Sequence, residues 1–231
     1  MSAPRGSTPF HNAVNEDVLE LMPVDARRVV DVGCMGGDLA AAYRRRNPGV
    51  HYTGIEISEA YAQVARAHCD EVLVGNIEAF GEERLAGLCR ADLWVFGDVL
   101  EHLIDPWGLL RRVREGSAAP PGMIACVPNI QHWSILRRIA TGEFRYEDAG
   151  LLDRTHLRWF SRLTLVEMFA AMGYEVVEGR SRVHPEPMPA QFARSLAQLA
   201  IGAGIPPQGL LADATAYQWV VRAVPGPPPR G

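Results

Sequence analysis

Lysine is absent from this 231-residue chain, and all 23 of its basic side chains are arginine. That excludes a lysine Schiff base and the lysine of a phosphate-binding P-loop, two devices that need a primary amine. Cysteine is scarce: four residues, at 34, 69, 89 and 126, form neither a CxxC pair nor a zinc-ligand rhythm. A chain long enough to bury a sizeable core needs no disulfide framework, so these thiols are expected to be reduced and mostly buried. No apolar run reaches the roughly 18 residues of a membrane span, and the opening MSAPRGSTPF has no signal-like apolar stretch. The expectation is a cytoplasmic protein without a membrane partner. A cationic surplus is missing too. The arginines are outnumbered by 27 acidic residues, for a net charge of −4, and no basic patch interleaved with aromatics recurs. Nucleic acid is therefore not an expected partner, whereas a small molecule is.

What is present is an ordinary globular composition, 48% hydrophobic and 22% charged. It is read as a single domain over residues 1–231, with 1–9 and 225–231 disordered. Apolar runs at 28–32, 51–58, 71–75, 91–97 and 122–128 read as strands, with helices at 59–69, 82–88 and 107–114 between them and one at 11–21 before them. Strand and helix taking turns argues for a parallel sheet covered on both faces. Asp105 and Pro106 supply an N-cap and first-turn proline for the helix at 107–114, and 98–104 reads as one or two helical turns before it. A helix at 130–142 is followed by an Arg- and aromatic-rich ordered loop over 143–160. A helix at 164–172, capped by Gly173, then leads into an alternating strand at 174–183. Residues 184–209 hold five of the 17 prolines around an amphipathic stretch and read as an insertion; 216–224 is a final strand.

The sharpest local signal is VVDVGCMGGDLAAAY, residues 29–43, in which an apolar strand ends in Asp31, turns through Gly33, Gly36 and Gly37, and enters a helix near Asp38. Such a turn lets backbone N–H groups approach a ligand closely. It fails the dinucleotide pattern GxGxxG, because Met35 stands where the second glycine belongs. The match is to DxGCxxG, with an acidic residue, Glu56, ending the second strand. Judged by itself, Gly37 suits helix packing better than ligand contact, and Cys34 suits a small turn filler better than a nucleophile.

With GNIE at 75–78 after the third strand and GDVLEHLIDPW at 97–107 after the fourth, the chain resembles the class I S-adenosylmethionine-dependent methyltransferases over about residues 10–224. The resemblance implies an α/β, Rossmann-like, mostly parallel seven-stranded sheet with helices on both faces and the last strand antiparallel. It implies S-adenosylmethionine as cofactor. Asp31 would act near the methionine amino group, and Gly33, Cys34 and Gly36 would pass the carboxypropyl chain. Glu56 would accept both ribose hydroxyls, a bidentate role suited to a carboxylate. Ile57, Asn76, Ile77 and Asp98 complete the implied cofactor set, with Asn76 standing where many relatives have Asp.

A hydroxyl acceptor would need a base or a metal ion. In DVLEHLID, Asp98, Glu101 and His102 fall at i, i+3 and i+4, one face of a helical turn; DRTHLRWF adds His156. These segments resemble the ubiquinone-pathway O-methyltransferases and the RNA 3′-end 2′-O-methyltransferases, in which carboxylates and histidines at these places bind a divalent ion. Asp98 stands where those relatives commonly have Glu. The expected catalytic set is His156, His102 and Glu101, and the expected set for a Mg²⁺-type ion is Asp98, Glu101, His102 and His156. A metal-free general-base role for His156, a merely hydrogen-bonded His102 and a Glu101 paired with Arg111 or Arg112 stay open. Residues 128–160 resemble methyltransferases encoded with glycosyltransferases, which implies a sugar or glycan acceptor held by His132, Trp133, Tyr146, Arg154 and Arg158. N-methyl transfer, a quinone or phenol acceptor, nicotinamide chemistry and a silent cofactor-binding module remain as alternatives.

Overall fold

In the computed structural model, which describes residues 14–226, alternate side chains of the central strands enter two different cores. Val30 and Val32 of β1 (Arg28–Val32) face one core and Val29 the other; in β4 (Leu93–Gly97), Trp94 and Phe96 oppose Leu93 and Val95. In β5 (Gly122–Pro128), Met123, Ala125 and Val127 likewise oppose Ile124 and Cys126. Burial on both faces is why these strands read as unbroken apolar runs.

With β2 (His51–Glu56), β3 (Glu71–Val74), β6 (Tyr174–Val183) and β7 (Ala216–Pro225), they form one seven-stranded sheet of order β3-β2-β1-β4-β5-β7-β6. The first five strands pair in parallel, and β7 lies antiparallel to both β5 and β6. The expected architecture is thus observed. β7 extends through Pro225, and the Gly226 N–H donates to Gly173 O at 2.9 Å, so the first two residues of the expected disordered tail are ordered. Residues 1–9 and 227–231 lie outside the described residues, as do 11–13 of the first expected helix.

One face carries α4 (Glu82–Leu88), α5 (Pro106–Gly116) and α7 (Arg162–Ala171), which bury Leu85, Leu109, Leu110, Val113, Leu165 and Phe169. The other carries α1 (Glu16–Leu21) and α2 (Asp38–Arg46), which bury Val18, Leu21, Ala40 and Tyr43. α3 (Glu59–Ala65) follows β2 and buries Ala62 and Ala65. The Asp105 side chain caps α5 by accepting from Gly108 N at 2.9 Å, with Pro106 in the first turn as expected.

The segment expected as an insertion, 184–209, holds α8 (Ala190–Gly202) and only the start of α9 (Pro207–Thr215), which runs on to the edge of β7. Leu196 and Ala214 pack with Trp133 of α6 (Trp133–Ala140) in a small separate cluster. Among the described residues, no helix is long and apolar enough to cross a membrane.

Candidate functional site at the switch point

After β1 the chain adds β2 and β3 on one side and returns to place β4 on the other, so a crevice opens where the strand order reverses. A cleft of about 950 Å³ occupies it. All nine residues expected to hold the cofactor line it: Asp31, Gly33, Cys34, Gly36, Glu56, Ile57, Asn76, Ile77 and Asp98. Glu101, His102 and His156 line it as well.

The turn after β1 is shaped by three left-handed residues: Gly33 at φ 73°, Met35 at φ 48° and Gly37 at φ 81°. At Gly33 a side chain is disfavoured on two counts, the left-handed φ and a Cβ that would come within 2.6 Å of Val99 Cγ2. Met35 adopts this conformation at a cost of about 1–2 kcal/mol, offset by a bond from its N–H to Glu56 Oε2 at 2.9 Å. The other oxygen, Oε1, accepts from Ser58 N at 2.8 Å. Glu56, 6% exposed, is therefore held by two backbone donors while each oxygen keeps further acceptor capacity. Gly37 caps α2 and lies against Ala65 and His68, the packing role its position suggested.

Asp31, one residue before the end of β1, is 3% exposed. Tyr52 Oη donates to its Oδ2 at 2.9 Å, yet burial, together with the nearby Glu56 carboxylate, pushes its pKa up to about 7. Across the cleft, the Asn76 oxygen accepts from Glu78 N at 2.9 Å and caps the 3₁₀ turn Ile77–Ala79. The expected adenine contact through that oxygen thus competes with a cap already made.

The second group of ionisable residues is deeper. Leu100–His102 forms one 3₁₀ turn, preceded by Asp98 in the left-handed conformation at φ 56°. The backbone reversal separates Asp98 from the face expected to unite it with Glu101 and His102. Its Oδ1 instead accepts from Gln218 Nε2 and from Cys126 Sγ, and burial raises it to about 6. Potential ligand atoms of Glu101, His102 and His156 lie within 4.8 Å of one another; Asp98 is not in this group. The four-residue metal set thus contracts to three.

Glu101 is 1% exposed, and neither carboxylate oxygen has a hydrogen-bond partner among the described residues. Arg112 pairs with Glu82 instead. Burial and the charge of Asp98 raise Glu101 well above the usual carboxylate range. His102 Nδ1 lies 3.2 Å from Thr155 O and equally far from Thr155 Oγ1, whose own proton is donated to Asp153 Oδ1 at 2.6 Å, and His156 Nδ1 lies 3.3 Å from Leu151 O. A carbonyl can only accept, so each Nδ1 carries the proton and each Nε2 keeps its lone pair. The ring centroids are 4.9 Å apart, and burial together with His102 lowers the pKa of His156, favouring the neutral ring.

The five residues expected to hold a sugar lie outside the lining of this cleft. His132 is 3% exposed, caps α6 through Ser134 and packs on Tyr217. Trp133 belongs to the small cluster with α8 and α9. Tyr146 is exposed against Phe144 and Trp159; Arg154 pairs with Asp148 at 2.5 Å, and Arg158 donates to Ile104 O. The wall there is built by residues the sequence reading did not single out: Asn15, Val18, Pro128, Leu151, Thr155, Arg182, Tyr217 and Gln218. Arg182 pairs with Asp17 at 3.2 Å and donates to Gln218 Oε1 at 2.8 Å, linking α1 to the residue that holds Asp98.

The sheet order, glycine turn and acidic second-strand end together define the fold of a class I S-adenosylmethionine-dependent methyltransferase. The sequence profile of the methyltransferase domain matches residues 11–179, and the chain belongs to that family. It is similar to a ubiquinone biosynthesis O-methyltransferase of Azorhizobium caulinodans, with 30% identity over 159 residues, 68% of this chain and 61% of that protein. A protein of the same description from Aeromonas salmonicida is 28% identical over 171 residues, 72% of this chain and 70% of that one. Among solved structures, a magnesium protoporphyrin IX methyltransferase from Synechocystis with bound S-adenosylhomocysteine superposes at a TM-score of 0.58. Its identity is 11%, covering 91% of this chain and 81% of that one. A methyltransferase from Archaeoglobus fulgidus gives 0.57 at 16% identity over 86% of each chain. At these identities the structural likeness speaks to the fold.

Proposed function

We propose that this enzyme transfers the methyl group of S-adenosylmethionine to a hydroxyl oxygen of a small acceptor. When bound, the cofactor supplies a methyl group on a positively charged sulfur. Asp31 meets the cofactor's amino group, the turn Gly33–Cys34–Gly36 gives its carboxypropyl chain room, and Glu56 accepts from both ribose hydroxyls. Ile57 and Ile77 border the adenine with Asn76, and Asp98 closes the amino-acid end. The fit rests on the bare turn at Gly33 and on Glu56, held by backbone donors with acceptor capacity left over.

The observation that carries hydroxyl chemistry is the buried, unpartnered Glu101 carboxylate beside two imidazoles of fixed tautomer. An alcohol gives up its proton reluctantly, and His156 Nε2 is the acceptor in reach of the cleft for it. Glu101, His102 and His156 also fit a divalent cation: anchoring each Nδ1 on a carbonyl is how metal-bound histidines are oriented. Two nitrogens and one carboxylate suit a transition ion such as Mn²⁺, Fe²⁺ or Zn²⁺ better than Mg²⁺, which prefers oxygen. A bound cation would stabilise the acceptor oxygen as it loses its proton.

For the acceptor, the relatives' description as ubiquinone biosynthesis O-methyltransferases, together with Val18, Pro128, Leu151 and Tyr217 on the wall, favours a phenol. A sugar or glycan moiety is the second reading, supported by Asp153, Thr155 and Gln218 on the same wall, with the five residues first assigned to it lying elsewhere. Turnover against matched panels of phenols, sugars and amines, using methyl-labelled cofactor, separates these classes. We expect O-methyl products that vanish in Glu101→Gln while S-adenosylhomocysteine affinity is kept. Exclusive N-methylation, or unchanged turnover in Glu101→Gln, would overturn the reading.

A further inference from the structure

β2 is an interior strand of the sheet, and a glycine there forfeits side-chain packing and backbone order. Gly54 nevertheless sits in its middle, paired with Asp31 on one side and Val72 on the other. The space over its Cα is filled by sulfur. A Cβ on Gly54 would meet Cys34 Sγ at 2.5 Å and Cys69 Sγ at 3.2 Å. The two thiols thus share the volume of one missing side chain, although 35 positions separate them in sequence. Both are free, Cys34 buried and Cys69 partly accessible behind α3.

We propose that Cys34 and Cys69 form an oxidisable pair whose disulfide disables the cofactor turn. A hydroperoxide supplies the oxidising equivalents. It delivers one oxygen to Cys69, the more accessible sulfur, giving a sulfenic acid and the corresponding alcohol or water. The Cys34 sulfur then displaces that oxygen, and the leaving hydroxide combines with the Cys34 proton as water. Contact with Cys69, burial and the neighbouring Asp31 carboxylate all hold the Cys34 thiol protonated, which keeps the pair reduced until an oxidant reaches Cys69.

The consequence follows from where Cys34 stands. Its N–H donates to Ile55 O at 3.2 Å, and the next residue, Met35, donates to Glu56. A disulfide needs its sulfurs about 2.05 Å apart, so closing the bond draws the turn toward β3. That shift strains the Met35–Glu56 bond and removes Cys34 from the cleft wall. By reciprocity, bound cofactor disfavours the disulfide at equilibrium by the same factor. This consequence rests on the cofactor reading above, whereas the bond itself does not.

The test uses the full chain treated with hydrogen peroxide and digested with trypsin, which cuts here only after arginine. The cysteines then fall on separate peptides, Cys34 on 29–44 and Cys69 on 67–84. We expect a cross-link joining these two with loss of two hydrogens, reversed by dithiothreitol. Calorimetry with S-adenosylhomocysteine should show a loss of about tenfold or more on oxidation, in the range of ordinary site–site coupling. Restoration by dithiothreitol, and absence of the loss in Cys69→Ser, complete the expected result. Peptides 29–44 and 67–84 that stay unlinked, or a cross-linked protein that binds as well as the reduced one, would overturn the proposal. A cross-link in a chain whose reduced form never binds the ligand would instead overturn the cofactor reading.

Discussion

Replacing Asp31 with Asn isolates one buried carboxyl group whose contribution has a definite sign. Asp31 moves from its ordinary 3.8 to about 7 in the folded chain because burial outweighs the bond from Tyr52, with the Glu56 carboxylate adding to the rise. The folded state therefore holds a proton that the unfolded state has released between those values. Folded stability falls as pH rises through that window, and the full cost is present above about 7. At about 1.4 kcal/mol per tenfold, the cost is about 4 kcal/mol. Asn does not titrate, so the variant gains on the native chain by up to that amount between about pH 4 and pH 8. Asp98 and Glu101, also raised by burial, occur in both proteins and cancel in the difference. Urea unfolding of both ligand-free chains across this range measures it, and parallel stability–pH curves would refute the reasoning. The same proton bears on the cofactor: an ammonium group seated on Asp31 must expel it. S-adenosylhomocysteine affinity should then rise toward pH 7 in the native chain, by at most tenfold per pH unit, and lose that dependence in the variant.

Three further outcomes are expected. His156→Ala should lower turnover by about 100-fold or more, with S-adenosylhomocysteine affinity within about twofold; equal losses in both would make His156 a structural residue. Dialysis against excess EDTA should abolish turnover, with recovery on Mn²⁺ greater than on Mg²⁺, whereas full activity after chelation would leave only the metal-free role of His156. Gly33→Ala should destabilise the fold by about 1–3 kcal/mol, because φ 73° disfavours a side chain and the added Cβ would lie 2.6 Å from Val99. An unchanged urea midpoint would contradict the need for a bare Cα there.

The strands and the cofactor end were legible in sequence because their constraints are local. Burial on both sheet faces writes unbroken apolar runs, and the turn after β1 needs glycine where φ is positive. Glu56 is recognisable at a strand end, in register with the turn it holds. The acceptor end obeyed no such rule. Asp98 looked helical beside Glu101 and His102, but its left-handed backbone turns the carboxylate toward Gln218, a partner 120 positions away. Arg182, Tyr217 and Gln218 reach the cleft through antiparallel pairing of β6 and β7, a long-range register that no periodicity announces. Residues 143–160 have the composition of a binding loop, yet Arg138 bonds to Glu147 and Arg154 to Asp148. Charges that looked available for a ligand are partly committed to the loop itself.

The claim on which the account turns is that Glu56 holds the ribose of an S-adenosyl ligand beside the glycine turn. A crystal structure of the chain with S-adenosylhomocysteine tests it most directly. The account predicts both ribose hydroxyls on the Glu56 carboxylate and the sulfur facing the side of the cleft that holds His156. A ligand seated elsewhere, or a ribose that leaves Glu56 uncontacted, would contradict it.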